Sequence, residues 1–456
     1  MPADPASSST TLPAAVPGPR HPASADHVPL SAAAGPPGGR AAWLAWGIGV
    51  SVYVLAVIHR TSLGVAGLDA AHRFHVGASA LSAFSILQVL VYAAMQVPVG
   101  LLVDRYGPRR VLLAGVVLLS IGQLAFALSN SFGPALASRA VLGSGDAMTF
   151  ISVLRIAARW FPAARNPLVA QLTGLAGMGG NLVTTVVLVQ ALHSEGWTAT
   201  FTAIALLGTA VFALVALGLR ESPEGADGHP AAAVPGAPRP ALSEQIRESW
   251  REPGTRLGLW VHFTTQFPGN AFALLWGLPY LVEGQGMTRG QAAGLLTLLV
   301  FSNMAFGLLF GRLLSRSSGY RMPITLGVIG GTSACWAVVL AWPGGHPPLW
   351  LLVLLILVMG SNGPGSLVGL DYARAHNPGH RLGTASGIAN MGGFLATMLT
   401  LLGVGVLLDA VSGGAETYTA GAFRIAFCWL AAPTALGTWM VLRLDRRVRR
   451  GAAVTG

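Results

Sequence analysis

The stretch TGLAGMGGNLVT, residues 173–184, returns as SGIANMGGFLAT at residues 386–397. Seven of the twelve positions are identical, among them Gly174 and Gly387, Met178 and Met391, Gly180 and Gly393, and Thr184 and Thr397. The offset is 213 residues. A second echo lies at an offset of 211, where Gly100-Leu-Leu-Val-Asp104-Arg105 is matched by Gly311-Arg-Leu-Leu-Ser315-Arg316. Gly- and Leu-rich segments resemble one another through composition alone, because small residues let helices approach closely. Two matches at nearly one offset point instead to a duplicated unit.

Working outward, each copy belongs to a series of apolar stretches near the ~20 residues that a helix needs to cross ~30 Å of hydrocarbon. Six cover 43–68, 78–102, 111–128, 135–157, 167–192 and 197–219, and six more cover 257–282, 290–314, 323–342, 348–372, 382–408 and 422–442. Lipid offers no partner to an unpaired backbone amide, so these crossings are helices. The fold class expected is an all-α polytopic membrane protein, twelve transmembrane helices in two pseudo-symmetric six-helix halves. Composition agrees. Of 456 residues 53% are apolar and 10% charged, with mean hydropathy +0.60. A soluble domain carries roughly 25% charged residues, so a soluble enzyme, a disordered protein and a coiled coil are all excluded.

The domains expected are a disordered tail over 1–40, a first half over 41–219, a linker over 220–256, a second half over 257–444 and a basic tail over 445–456. The first is rich in Pro, Ala, Ser and Gly without an apolar run, a composition that buries too little to fold, and it has no signal-peptide pattern. The linker carries Pro223, Pro230, Pro235, Pro238 and Pro240, and its stretch 243–250 reads as a short surface helix with Ile246 and Trp250 against lipid or protein.

The formal charge is +11, and every basic residue is arginine. A nucleic-acid partner would want a basic face, but these arginines cluster between apolar runs, the pattern of membrane topology. One set of alternate connections holds Arg105, Arg109, Arg110, Arg159, Arg165, Arg316, Arg321, Arg374, Arg381 and the run 443–450, whereas the other offers little beyond Arg73, Arg289 and Arg424. The expectation is an inner (cytoplasmic) membrane protein with linker and both termini cytoplasmic. Cys335 and Cys428 lie inside apolar runs and support neither a disulfide framework nor a metal site. No cofactor is expected.

Gly100-Leu-Leu-Val-Asp104-Arg105-Tyr-Gly107-Pro-Arg109-Arg110 resembles the signature between helices 2 and 3 of the major facilitator superfamily, and Arg139-Ala-Val-Leu-Gly143-Ser-Gly145-Asp146 resembles its helix 4 signature. The resemblance runs over about residues 41–450. In the second half Ser315 replaces the acidic residue of the first motif. A carboxylate at a helix end, ringed by Arg105, Arg109 and Arg110, can form a charge cluster against a neighbouring helix, and the resemblance implies that it latches the halves in an outward-facing state. A static loop anchor is the other reading.

Charges inside the bilayer cost at least ~2.5–3.5 kcal/mol on insertion scales and mark function. Asp146 sits near the middle of helix 4, with Arg139 seven residues earlier on the same face. It is the candidate proton carrier, tuned by Arg139; the alternative is a structural ion pair. Arg60, in Val57-Ile-His-Arg60-Thr-Ser-Leu-Gly64, resembles the helix 1 arginine that binds substrate in anion-transporting branches of the superfamily, although His59 departs from that pattern; snorkelling to the outer interface is the alternative. Polar residues that face a central cavity on this reading are Gln88, Tyr92, Gln96 and Asn181, then His262, Gln266 and Asn270, and Asn303, Asn362 and Asn390. His262, Gln266 and Asn270 form one stripe at i, i+4, i+8, and Pro268 within it predicts a bend. Asp371 reads as an ion pair near Arg374.

The function expected is secondary active transport of a small solute by alternating access between two rocking halves. Proton coupling is expected, since a phosphate-binding Gly-rich loop with lysine is missing from the sequence. Arg60 and Arg139 favour an organic anion; a proton-driven drug or metabolite exporter is the alternative, against which the glycine-rich segment 174–180 lacks proline. The resemblance also disfavours nitrate, since nitrate carriers of the superfamily use arginines in helices 2 and 8 and the interiors of those helices have none here. A polytopic enzyme would need clustered acids or histidines at a membrane face, and a transporter-like sensor would need a soluble signalling domain. The partners expected are a small-molecule substrate, a proton or other coupling ion and the bilayer, with no nucleic acid and a monomeric state.

Overall fold

A computed structural model describes residues 38–76, 78–222, 241–412 and 418–455. The tail expected over 1–40 lies almost wholly outside the described residues, as do residues 223–240 of the linker expected over 220–256. The stretch 445–455 continues the last helix.

The first half contains α1 (Arg40–Val65), α2 (Ala78–Tyr106), α3 (Pro108–Leu128), α4 (Phe132–Trp160), α5 (Asn166–Val183) and α6 (Val189–Gly218). The second contains α7 (Pro253–Ala271), α8 (Arg289–Arg316), α9 (Arg321–Ala341), α10 (Leu349–Ala375), α11 (Leu382–Ser412) and α12 (Ala420–Arg450). Ten helices among the described residues are long and apolar enough to cross a bilayer. The two remaining crossings, expected over 167–192 and 257–282, are each interrupted by wide π-type turns. After α5 comes Thr184–Leu188, and the chain reverses at Gly196, where φ is 75°. After α7 come Phe272–Trp276, one ordinary turn at Gly277–Pro279, and Tyr280–Gly284. Pro268 lies inside α7, where it removes one ladder hydrogen bond and crowds the preceding turn. Such interruptions collect at functional sites.

Local chemistry sets the turns. Gly107 precedes α3 with φ 83°, a conformation L side chains rarely adopt, and Pro108 follows at the first helical position. Thr288 opens α8 with a reciprocal cap: its hydroxyl accepts the Gln291 N–H at 3.2 Å and the Gln291 side chain accepts the Thr288 N–H at 3.0 Å. The short helix Leu242–Arg251 precedes α7. Against the protein it buries Gln245 and Ser249, while Ile246 is half-buried and Trp250 is 46% exposed. The reason is polar: Gln245 finds hydrogen-bond partners underneath.

Packing divides the bundle along its length. At the end away from the arginines, Leu63, Phe74, Phe84, Phe126 and Phe201 form a cluster wholly within the first half. Phe272, Tyr280, Trp336, Phe423 and Phe427 form another wholly within the second. Apolar contact between the halves lies in the middle, where Tyr92 packs on Phe394 with ring centres 4.7 Å apart. It continues toward the arginine-rich end, where Phe150, Leu154 and Ala170 meet Leu370, Ala373, Ala385 and Ala389. The halves are thus sealed from the middle to the arginine-rich end.

Candidate functional site

The seal runs along α2 and α11. At Gly100 and Gly383 the backbones touch so closely that a Cβ on Gly383 would lie 2.6 Å from the Gly100 carbonyl oxygen, and one on Gly100 would overlap the Gly383 carbonyl. One helical turn further, the buried Asp104 carboxylate accepts the backbone N–H groups of Gly383 at 2.8 Å and Thr384 at 2.7 Å, and the Thr384 hydroxyl at 2.8 Å. The start of α11 thereby receives a capping anion from the opposite half. Arg155 of α4 stands 3.9 Å from the same carboxylate. The Gln245 amide nitrogen lies within 3.3 Å of the Asp104 carboxylate, 3.3 Å of the His380 carbonyl and 3.2 Å of the Thr384 hydroxyl. Glu248 pairs with Arg381 at 2.5 Å.

This corrects the expected arginine ring around Asp104. Arg105 lies over its neighbour Tyr106, with 5.5 Å to the ring centre. Arg109 donates to the Ala216 carbonyl at 2.5 Å, and Arg110 has no polar partner among the described residues. The Gly107 turn carries Arg109 and Arg110 off with α3, whereas Asp104, still on α2, faces the seam. Asp371 likewise pairs with Arg321 at 2.6 Å instead of with Arg374.

Toward the middle of the bundle, Arg60 of α1 meets Asp146 of α4 at 3.3 Å; the Arg60 side chain is 28% exposed and Asp146 fully buried. The second Asp146 carboxylate oxygen has no hydrogen-bond partner. The Arg60 guanidinium also lies 5.7 Å from the Tyr92 ring centre, a cation–π contact. Tyr53 of α1, which the sequence reading passed over, adjoins the pair and packs on Phe150.

Arg139 makes no ion pair with Asp146. Seven residues on one helix face separate side chains by about 10 Å of rise, beyond ion-pair reach. Arg139 instead donates to the His59 carbonyl at 3.2 Å and lies 3.8 Å from the centre of the Phe126 ring. Its Nε and one Nη have no partner in the core.

The remaining polar candidates fall into three groups. Asn390 donates to Gln96 at 2.7 Å across the halves. His262 accepts the Gly393 N–H through Nδ1 at 3.0 Å, and Asn362 donates to the Thr332 hydroxyl at 3.0 Å, so both tie helices of the second half together. Gln88 Nε2, Gln266 Oε1 and Asn362 Oδ1 are buried atoms without a partner. Asn270 and Asn303 are half-buried, and Asn181 is exposed. A further bridge between halves, unforeseen from the sequence, is Gln171 of α5 donating to the Pro364 carbonyl of α10 at 2.9 Å.

The family model described as Major Facilitator Superfamily matches residues 49–401. The chain belongs to that superfamily. It is therefore a multi-pass membrane transporter of the superfamily and not an enzyme. It is 24% identical over 386 residues to a probable galactarate/D-glucarate transporter of Escherichia coli strain K12, covering 77% of this chain and 84% of that one. It is 26% identical over 179 residues to a probable sulfoacetate transporter of Cupriavidus necator, where the match spans 39% of this chain and 41% of that protein's length. Among solved structures of the superfamily, the proton:xylose symporter XylE with a bromo-deoxyglucose bound aligns with TM-score 0.65 at 15% identity, over 89% of this chain and 95% of that one. The transporter FucP in the outward conformation aligns with TM-score 0.60 at 15% identity, over 88% and 99%. At these identities the structures show the shared fold.

Proposed function

We propose that this superfamily member moves a small organic anion together with a proton by alternating access, with Arg60 as the anion-binding cation and Asp146 as the proton carrier. The observation that carries the reading is the Arg60–Asp146 pair, one partner partly open and the other fully buried. As it stands the pair is neutral. An anion that takes over the Arg60 guanidinium leaves a buried carboxylate without its counter-ion, which is costly. A proton on Asp146 removes that cost. Proton and anion therefore raise each other's affinity, and with a singly charged anion the site is neutral both before and after they bind together.

Positive-inside asymmetry puts the arginine-rich end in the cytoplasm of a cell inner membrane. The cleft then opens outward, and the Asp104 cap on α11 is the latch that must break for it to open inward. The names of the relatives are consistent with an anion, since galactarate, glucarate and sulfoacetate all carry carboxylate or sulfonate groups. The test is uptake by proteoliposomes of glucarate, galactonate, sulfoacetate and neutral xylose under an imposed pH gradient. Accumulation of at least one of the anions but not of xylose is expected; gradient-driven uptake of xylose with none of the anions would overturn the reading.

A further inference from the structure

Arg109 and Arg110 are left without a role once Asp104 is seen to be held by α11 and Arg155. They line, with Tyr106 and Glu221, a cavity of about 440 Å³ at the start of α3. Its charge is lopsided. Among the described residues that line it the one carboxylate is Glu221, which Arg159 engages at 3.2 Å. Arg109 spends one nitrogen on the Ala216 carbonyl, while its Nε is buried and without a partner; Arg110 is exposed with no polar partner among the described residues. From Arg110 an apolar ribbon runs along the same face of α3 through Val117 (41% exposed), Ile121 (55%), Leu124 (38%) and Leu128 (57%). The spacing 110, 114, 117, 121, 124, 128 keeps these residues on one side of the helix.

We infer that this cavity is a binding site for the phosphate of an acidic phospholipid. The guanidiniums supply planar, charge-assisted donors that suit phosphate oxygens. The ribbon supplies a track for an acyl chain at the depth that the headgroup sets. A basic pocket at the cytoplasmic edge of a helix bundle is where anionic headgroups dock. Phosphate chemistry alone would also admit free inorganic phosphate; the ribbon, which extends the length of α3 away from Arg110, favours the lipid.

The experiment uses the full chain in detergent and native mass spectrometry, with short-chain phosphatidylglycerol, short-chain phosphatidylcholine and inorganic phosphate as three separate probes. Phosphatidylglycerol is expected to be retained in preference to phosphatidylcholine, and roughly tenfold less in the Arg109→Gln/Arg110→Gln protein. Arg110→Gln alone, at an exposed position, keeps the test open if loss of the Arg109–Ala216 bond unfolds the double variant; a drop of several-fold is expected from it. Equal retention of the two lipids, or unchanged phosphatidylglycerol retention in Arg110→Gln, would overturn the site. Inorganic phosphate displacing phosphatidylglycerol at equal concentration would overturn the lipid as its occupant.

Discussion

Asp104 of the first half accepts the backbone N–H of Thr384 of the second at 2.7 Å, so that the end of α2 caps the start of α11. The bond joins elements 280 residues apart in sequence, and it closes only when the two halves meet at the arginine-rich end. Loss of a helix cap costs about 1–2 kcal/mol. Asp104→Ala is therefore expected to shift the balance toward a bundle open at that end by roughly five- to thirty-fold. Thiol labelling of Ala385→Cys, buried in the seam, reads the shift as faster modification.

The Gly100–Gly383 contact makes a steric version of the same prediction. A Cβ on Gly383 would lie 2.8 Å from the Asp104 carboxylate as well as against the Gly100 carbonyl. Both neighbours are fixed, one by its backbone and the other by its hydrogen bonds. Gly383→Ala is expected to speed labelling of the same Ala385→Cys reporter, and a rate equal to that of the parent would show that the helices slide apart without cost.

Gln245 shares its partners with the proposed latch at Asp104, and on that reading the two are coupled. A double-mutant cycle of Asp104→Ala and Gln245→Ala, read by the same labelling rate, is expected to be non-additive, with Gln245→Ala doing little once Asp104 is gone. Additive effects would separate the surface helix from the latch.

Several parts of this arrangement were legible beforehand, and the remainder has a physical reason for its silence. Crossings follow from apolar runs because a bilayer demands helices of a set length, and the duplication follows from the repeated segment itself, although its glycines pack differently: Gly387 and Gly392 are pressed against neighbouring helices where Gly174 and Gly179 have open space. Asp146 stood out because a carboxylate inside the bilayer is expensive, and Asp104 because it sits in the motif between helices 2 and 3. Their partners did not. Sequence spacing reports neighbours on one helix, and so it offered Arg139 to Asp146 and Arg109 to Asp104. The structure supplies Arg60 from α1 and Arg155 from α4, which arrive laterally through packing that no spacing encodes. Arg155 had a faint signal, an arginine inside an apolar helix, which reads equally well as topology. The stripe His262, Gln266, Asn270 lies on the continuous helix α7, yet His262 on it accepts a backbone N–H of α11.

Arg60 is half of the neutral pair and, on the proposed reading, also the cation that an anion would meet. Arg60→Ala is expected to weaken binding of an organic anion by tenfold or more, since hydrogen bonds to charged groups contribute about 1.5–3 kcal/mol, while sparing a neutral analogue. Thermal-shift titrations with glucarate and with a neutral sugar compare the two. Equal losses would leave Arg60 with a structural part only.

The most direct measurement is accumulation under an imposed pH gradient by proteoliposomes bearing the parent protein or Asp146→Asn, using whichever anion the parent takes up. The amide cannot exchange a proton, yet it can still neighbour Arg60. The account predicts that the variant equilibrates and exchanges the anion but no longer concentrates it when the gradient is applied. Concentration to the same level as the parent would contradict it.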